Sequence, residues 1–205
     1  GNVMNRIEYD AELLKIVLDR MLAEAGVDIL FKATMIGSRV RDERVSEVEL
    51  WASGTRLLVG ASTFIDCSGD MSLLVQSGAE FLDLGDGDAL QPGTMMFAMA
   101  PVSFDALDGM SRAQRDSLVF EGVDSGVLPR AALHYSRAPD SQAAWFNISR
   151  VSVDPEDPFS VSRGEIEGRR QALEISRFLT ARVPGCAGAR LSSLAPQLGI
   201  RDTRR

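Results

Sequence analysis

The sequence predicts an α/β protein, because one strongly periodic helical segment is followed along the chain by short β-like segments. In residues 10–25, apolar side chains recur at i, i+1, i+4, i+5, i+8, i+9 and i+12, which forms one stripe on a helix. Residues 27–31 and 63–66 are predicted to be buried strands, and residues 44–51 with 56–60 a β-meander inserted between them. We therefore expect the stripe of helix 10–25 to pack on a sheet that contains strands 27–31 and 63–66.

The second half of the chain continues the mixture of helices and strands. Strands are predicted at 94–102 and 143–151, with short helical pieces and turns over 103–126. A helix is predicted over 162–182, ended by Pro184-Gly185. The apolar residues expected on one face of this helix are Ile166, Leu173, Ile175, Phe178 and Leu179.

Composition narrows the class of protein and its partners. The chain has 205 residues, 45% hydrophobic and 25% charged, which suits one sizeable domain or two small ones. A net charge of −7 without a basic stripe argues against a nucleic-acid partner. No apolar run reaches the roughly 18 residues of a membrane helix, so we predict no membrane partner. Two lone cysteines and one histidine predict no metal site and favour a cytoplasmic location.

The turn Asp66-Cys67-Ser68-Gly69-Asp70 is the most informative local feature. It lies between a predicted strand and a helix-like pattern that includes Leu73, Leu74 and Val75. Backbone N–H groups at such a place attract anions, and a glycine permits close approach of a ligand. Alternatively, Ser68 or Asp70 simply caps the helix, which is the commoner arrangement. Spacing alone leaves both interpretations open.

Longer segments of the sequence resemble a known enzyme family. "FIDCSGDMSLLVQSGAEF" is similar to the "FIDATGDGDLA…AGA" segment of FAD-dependent oxidoreductases distantly related to the fumarate reductase and GidA-type flavoproteins. "LQPGTMMFAM", "NISRV", "EIEGRRQALEISRFLTARVPG" and "APQLGIRDTRR" resemble consecutive downstream segments of that family, in the same order. The resemblance implies FAD as cofactor and a fold that is part of a flavin-binding Rossmann-like sheet with an inserted β-rich substrate-side segment.

The resemblance also implies how the chain is organised. Residues 1–80 would be a partial FAD-binding domain with the β-meander, 81–160 the inserted substrate-side segment, and 161–205 a helix returning to the FAD-binding domain. The Gly-rich G-x-G-x-x-G motif of the family is absent from the sequence. We therefore expect a fragment whose missing N- and C-terminal segments are its partners, and which does not retain FAD by itself.

Individual site residues follow from the resemblance, position by position. It implies cofactor-binding roles for Met35, Ser68, Gly69, Asp70 and Thr203, catalytic roles for Arg201 and Arg204, and substrate-side roles for Gln91, Thr94, Asn147 and Arg150. Arginine suits a site near a flavin because it stays charged and binds carboxylates in a bidentate manner. The structural alternatives are a core methionine at 35, a solvated basic end at 201–204, strand-start hydrogen bonds at 91 and 94, and an ion pair at 150.

The resulting hypothesis is a fragment of an FAD-dependent oxidoreductase that acts on a small molecule by hydride transfer. The alternative is a non-enzymatic α/β binding or protein-interaction domain.

Overall fold

The chain forms two compact units in a computed structural model, which describes residues 9–80, 90–139, 141–201 and 203. One unit comprises Lys15–Asp88 with Thr203–Arg205 and is called the three-strand unit. The other comprises Gly1–Leu14 with Ala89–Asp202 and is called the four-strand unit.

The three-strand unit is built on an antiparallel meander. Strands β1 (Ala33–Arg41), β2 (Arg44–Ala52) and β3 (Thr55–Gly60) pair in the order β1-β2-β3, which confirms the predicted meander and adds a strand to it. Both hairpin turns place two successive residues at positive φ, Asp42-Glu43 and Ser53-Gly54. Such turns follow the right-handed twist of the strands. The short helix α2 (Ser72–Gln76) contacts β1, where the Ser38 hydroxyl donates to the Gln76 carbonyl (3.0 Å).

Few side chains of this unit are buried. Among its described residues, the buried hydrophobic ones are Val48 and Ala52. Large apolar side chains such as Phe31, Trp51 and Leu58 are exposed. The three-strand unit therefore leaves an extensive apolar surface uncovered within the described chain.

The predicted first helix is confirmed, but the predicted packing is wrong. Helix α1 spans Ala11–Glu24 and buries no residue; Leu13, Val17 and Met21 on its stripe are 59%, 47% and 59% exposed. Residues 27–31 and 63–66 form no strand, so the sheet expected beneath the stripe does not exist in the described structure. The apolar runs were compatible with strands, but a strand also needs a paired neighbour for its backbone, and none is present.

The four-strand unit holds a second antiparallel sheet. Its strands β4 (Phe97–Ala100), β5 (Tyr135–Arg137), β6 (Ala144–Phe146) and β7 (Arg190–Leu194) lie in the order β5-β6-β4-β7. The strands predicted at 94–102 and 143–151 are thus shorter than expected, and isolated bridges, Gly93 with Val151 and Thr94 with Gly199, extend the pairing beyond them. Helices α3 (Phe104–Asp108) and α4 (Arg112–Asp124) confirm the predicted helical pieces.

A single hydrophobic core lies in the four-strand unit, between its sheet and the long helix α5 (Pro158–Arg182). The rings of Phe97 and Phe146 stack at its centre, 5.5 Å apart. Helix α5 approaches closely because Gly168 lacks a side chain: a Cβ there would lie 2.9 Å from the Cβ of Met95. The predicted face of this helix is only partly right, because Ile175, Phe178 and Leu179 face the core whereas Ile166 and Leu173 are 66% and 41% exposed.

These elements make the protein α/β, as the sequence predicts. All strand pairs in the described ranges are antiparallel, and the Rossmann-like character of the sheet stays a prediction. In the same ranges, no helix combines the length and apolar character that crossing a membrane requires.

Candidate functional site

A cavity of about 1050 Å³ opens on the four-strand unit. Its floor includes the half-buried Trp145 of β6, whose neighbours Ala144 and Phe146 point into the core. Since successive side chains of a strand alternate between faces, the cavity lies over the face of the sheet turned away from the core. Met96, Arg115 and the segment around His134 complete much of the wall. A cavity of this size with aromatic, apolar and charged lining suits a small molecule.

Polar groups on the core side of strand β5 form an interlocked set around Asp108. The Tyr135 hydroxyl and the Arg137 guanidinium both donate to the Asp108 carboxylate, and the guanidinium lies 4.5 Å from the centre of the Phe104 ring. The hydrogen bond from Tyr135, with the nearby charge of Arg137, lowers the pKa of Asp108. Desolvation, followed by the contact with Asp108, raises the pKa of Tyr135. Tyr135 is therefore a protonated, positioned donor at neutral pH, and Asp108 is a carboxylate.

The turn before α2 is held by its own side chains. The Asp66 carboxylate accepts hydrogen bonds from the backbone N–H of Ser68 (2.9 Å) and of Leu73 (2.8 Å). The Ser68 hydroxyl accepts from the backbone N–H of Asp70 (3.3 Å) and of Ser72 (3.0 Å). Hydrogen bonding to the side chain and backbone of Ser68 lowers the pKa of Asp66. The N-cap residue of α2 is Met71, which makes no side-chain cap bond, so neither Ser68 nor Asp70 is the N-cap that the sequence suggested. Ser68 and Asp66 instead bond the first two backbone N–H groups of α2 from earlier in the turn, and this role of Asp66 was missed by sequence reasoning.

Gly69 is the open position in this turn. Its φ is +79°, and a Cβ built on it would meet no atom within 4 Å. Its backbone N–H has no acceptor among the described residues. Four neighbouring backbone N–H groups already donate to the side chains of Asp66 and Ser68, and α2 has only five residues, so the turn does not form a phosphate cradle. The open space at Gly69 instead suits close packing of a ligand against the backbone.

The other residues with predicted cofactor or catalytic roles are dispersed. Met35 is half-buried in β1 opposite Leu50, near the start of its strand. Arg201 is exposed and belongs to the four-strand unit, whereas the half-buried Thr203 belongs to the three-strand unit. Arg204 lies outside the described residues.

Two predicted substrate-side residues flank the start of the four-stranded sheet. Gln91 is exposed and precedes the bridge at Gly93. The Thr94 hydroxyl donates to the Ser149 carbonyl (3.2 Å), which is the strand-start role given as its structural alternative. Ser149 itself was missed by sequence reasoning: fully buried, it accepts from the Met95 N–H (2.9 Å) and donates to the Met95 carbonyl (3.0 Å).

The other two, Asn147 and Arg150, lie in one tightly held segment. The Asn147 N–H donates to the carbonyl of His134 (3.0 Å), a residue of the cavity wall. The Arg150 N–H donates to the side-chain oxygen of Gln171 (2.9 Å), whose amide nitrogen donates back to the Arg150 carbonyl (2.9 Å). Arg130, which no sequence motif marks, donates to the Asn147 carbonyl (2.6 Å). The two arginines are 20 positions apart in the chain but close enough in the fold for the charge of Arg150 to lower the pKa of Arg130.

No metal centre is visible in the part of the chain that the structure describes, since no three His, Cys, Asp or Glu residues there are grouped to hold an ion.

Comparison with known proteins gives one family. The family model described as "FAD dependent oxidoreductase" matches residues 2–205, which is nearly the whole chain. No curated protein and no solved structure matches the chain significantly.

Proposed function

This chain belongs to the FAD dependent oxidoreductase family, and on that basis we propose that it takes part in hydride transfer between FAD and a small-molecule substrate. The match over residues 2–205 is the observation that carries the proposal, and it makes FAD the cofactor of the family concerned. When bound, the flavin supplies the hydride acceptor or donor, and the protein supplies binding and orientation.

The cofactor-side contact that the structure supports best is the turn at Ser68-Gly69-Asp70. Gly69 leaves the backbone open on one side, which allows a flat ring or chain of the cofactor to lie against it. The hydrogen bonds that the side chains of Asp66 and Ser68 accept from backbone N–H groups hold that backbone in place before a ligand arrives. The proposed cofactor roles of Met35 and Thr203 rest on the family resemblance alone.

The substrate, in this proposal, occupies the cavity of the four-strand unit. Trp145 offers an aromatic surface and Arg115 a cation at its wall. Asn147 adjoins the cavity through its bond to His134. Gln91, Thr94, Arg150, Arg201 and Arg204 remain proposed substrate-side or catalytic residues on the strength of the resemblance.

The alternative, a non-enzymatic binding or interaction domain, is favoured by the uncovered apolar surface of the three-strand unit. The same surface supports the proposal that further segments of this polypeptide are its partners. Two free cysteines, Cys67 and Cys186, support a cytoplasmic location.

Flavin binding separates the two functions. We expect the full-length protein to show flavin absorbance, and a panel of small molecules added without oxygen to include at least one that bleaches it. Absence of both signals would favour the interaction domain. We expect the chain of residues 1–205, titrated with FAD in parallel, not to retain the cofactor by itself, because its sequence lacks the G-x-G-x-x-G motif.

The Gly69 contact has a matched control. Gly69→Asn adds a side chain that tolerates positive φ, so it fills the open space with little backbone strain. Gly54→Asn makes the same change at a hairpin glycine with φ +78° and equally open surroundings. We expect lower FAD affinity of the full-length protein for Gly69→Asn only, with both apo melting temperatures close to that of the parent. Equal affinity in all three proteins would reduce the turn to a helix cap.

A further inference from the structure

Arg130 carries a polar atom for which the fold provides no partner. Its Nε is buried and donates to no atom of the described chain. One terminal nitrogen of the guanidinium is anchored by the Asn147 carbonyl (2.6 Å) and lies 3.4 Å from the Asn147 side-chain oxygen. A buried donor without an acceptor is unfavourable, so its persistence needs an explanation.

The positive charge of Arg150 lies near Arg130 and makes burial of the charged Arg130 guanidinium still less favourable. Desolvation, followed by the charge of Arg150, lowers the pKa of Arg130. Both guanidiniums lack an acidic partner among the described residues, although the net charge of the chain is −7. Two like charges beside a buried donor would be stabilised by an anion placed between or against them.

The segment that carries Asn147 and Arg150 is held at four positions between residues 147 and 151. Asn147 is bonded to His134, Ser149 to Met95, Arg150 to Gln171 of α5, and Val151 to Gly93, with donor–acceptor distances of 2.8–3.0 Å. Binding groups fixed in this way lose little conformational freedom when a ligand arrives. The arrangement is therefore suited to recognition as well as to folding.

We propose that Arg130, which contacts Asn147, and the nearby Arg150 form a binding site for an oxyanion, the carboxylate or phosphate group of a small molecule. Guanidinium groups recognise both anions through charge-assisted hydrogen bonds. The Asn147 side-chain amide offers a further donor at the same place. The inference rests on the proposed function only in identifying the bearer of that group as the substrate, since Asn147 adjoins the cavity through His134.

The test measures anion binding without flavin or turnover, so its failure would leave the flavin proposal untouched. Inorganic phosphate and malonate are titrated separately into the protein at constant ionic strength, by calorimetry and by thermal melting. We expect saturable binding of at least one anion, and the stronger of the two identifies the group as phosphate or carboxylate. Arg130→Gln and Arg150→Gln should each weaken binding about tenfold or more, because each removes a charge-assisted hydrogen bond.

The control is Arg112→Gln, which removes a 95% exposed arginine side chain on α4 that pairs with Asp116. It should bind the anion as the parent does. If Arg130→Gln fails to fold through loss of its bond to Asn147, Arg150→Gln still decides the question, because its backbone bonds to Gln171 do not depend on the side chain. No saturable binding in the parent, or equal affinity in the parent and Arg150→Gln, or an equal loss in Arg112→Gln, would overturn the proposal.

Discussion

Removal of a single hydroxyl, in Ser149→Ala, is expected to destabilise the four-strand unit measurably. The Ser149 side chain bonds both the N–H and the carbonyl of Met95, across 54 positions of sequence. Ser149 is 0% and Met95 1% exposed, so water cannot replace the lost partner without local opening. The substitution therefore leaves the backbone N–H and the backbone carbonyl of Met95 without the hydrogen-bond partner that the hydroxyl provides.

The magnitude follows from those two groups. A buried donor left without a partner costs about 1–3 kcal/mol, and an unpaired carbonyl costs less because it tolerates poorer geometry. We therefore expect the free energy of unfolding to fall by about 2 kcal/mol. For a chain of this size, each kcal/mol lowers the melting temperature by about 2–4 °C, so the expected decrease is about 4–8 °C.

The assay can isolate the four-strand unit because the chain has two tryptophans, Trp145 in that unit and Trp51 in the other. In a Trp51→Phe background, the fluorescence of Trp145 follows unfolding of the four-strand unit alone. This matters because two compact units need not unfold in one transition. Urea titrations of that background, with and without Ser149→Ala, give the difference in unfolding free energy.

Ser193→Ala is the matched control. Ser193 is exposed, and its hydroxyl contacts only the neighbouring Leu194 carbonyl, at 3.4 Å. Its removal should change the unfolding free energy by less than about 0.5 kcal/mol. If Ser149→Ala were as stable as Ser193→Ala, the hydroxyl would not be needed by the buried Met95 backbone and the reasoning would be refuted.

Two further predictions concern titrating groups. Burial raises the pKa of the Cys186 thiol to about 11, whereas Cys67 is exposed. At pH 8 we therefore expect Cys67 of the native protein to react quickly with a thiol reagent and Cys186 to react only after denaturation. Two quickly reacting thiols in the native protein would contradict this prediction. Hydrogen bonds from Arg170 and then Gln171 hold the pKa of Glu167 at about 2, below its ordinary 4.5. The contribution of Glu167 to the free energy of unfolding is thus complete above pH 4.5 and is lost as the pH falls towards 2. Because the Glu167–Arg170 ion pair is surface-exposed, we expect this loss to be under about 1 kcal/mol. The Glu167→Gln variant should not show the loss. Carboxyl NMR titration checks the value, and a pKa near 4.5 would show the pair does not form in solution.

Local sequence patterns determined the elements whose stability is local. The stripe of residues 10–25 and the pattern of 162–182 predicted helices that the structure contains, α1 and α5, because helical hydrogen bonds join residues four apart. The meander was predictable for a similar reason: its strands are adjacent in sequence, and Ser53-Gly54 supplies the turn. The family, too, followed from short motifs in a fixed order, which the match over residues 2–205 bears out.

Tertiary contacts decided what local patterns could not. An apolar stripe shows which face of a helix can be buried but not what covers it, and the stripe of α1 is exposed. Residues 63–66 had the composition of a strand but no neighbour with which to pair. On α5, the buried face is set by Gly164 and Gly168, because close approach to the sheet requires small side chains there.

The proposed oxyanion site, too, was only partly predictable from the sequence. Sequence motifs marked Asn147 and Arg150, but the partner Arg130 is 17 positions before Asn147 in a segment without a motif. No sequence pattern distinguishes Ser149 from an exposed serine; its role arises because the fold places the Met95 backbone against its hydroxyl. Such contacts join residues far apart along the chain, so they depend on how the elements pack and leave no periodic or local trace in the sequence.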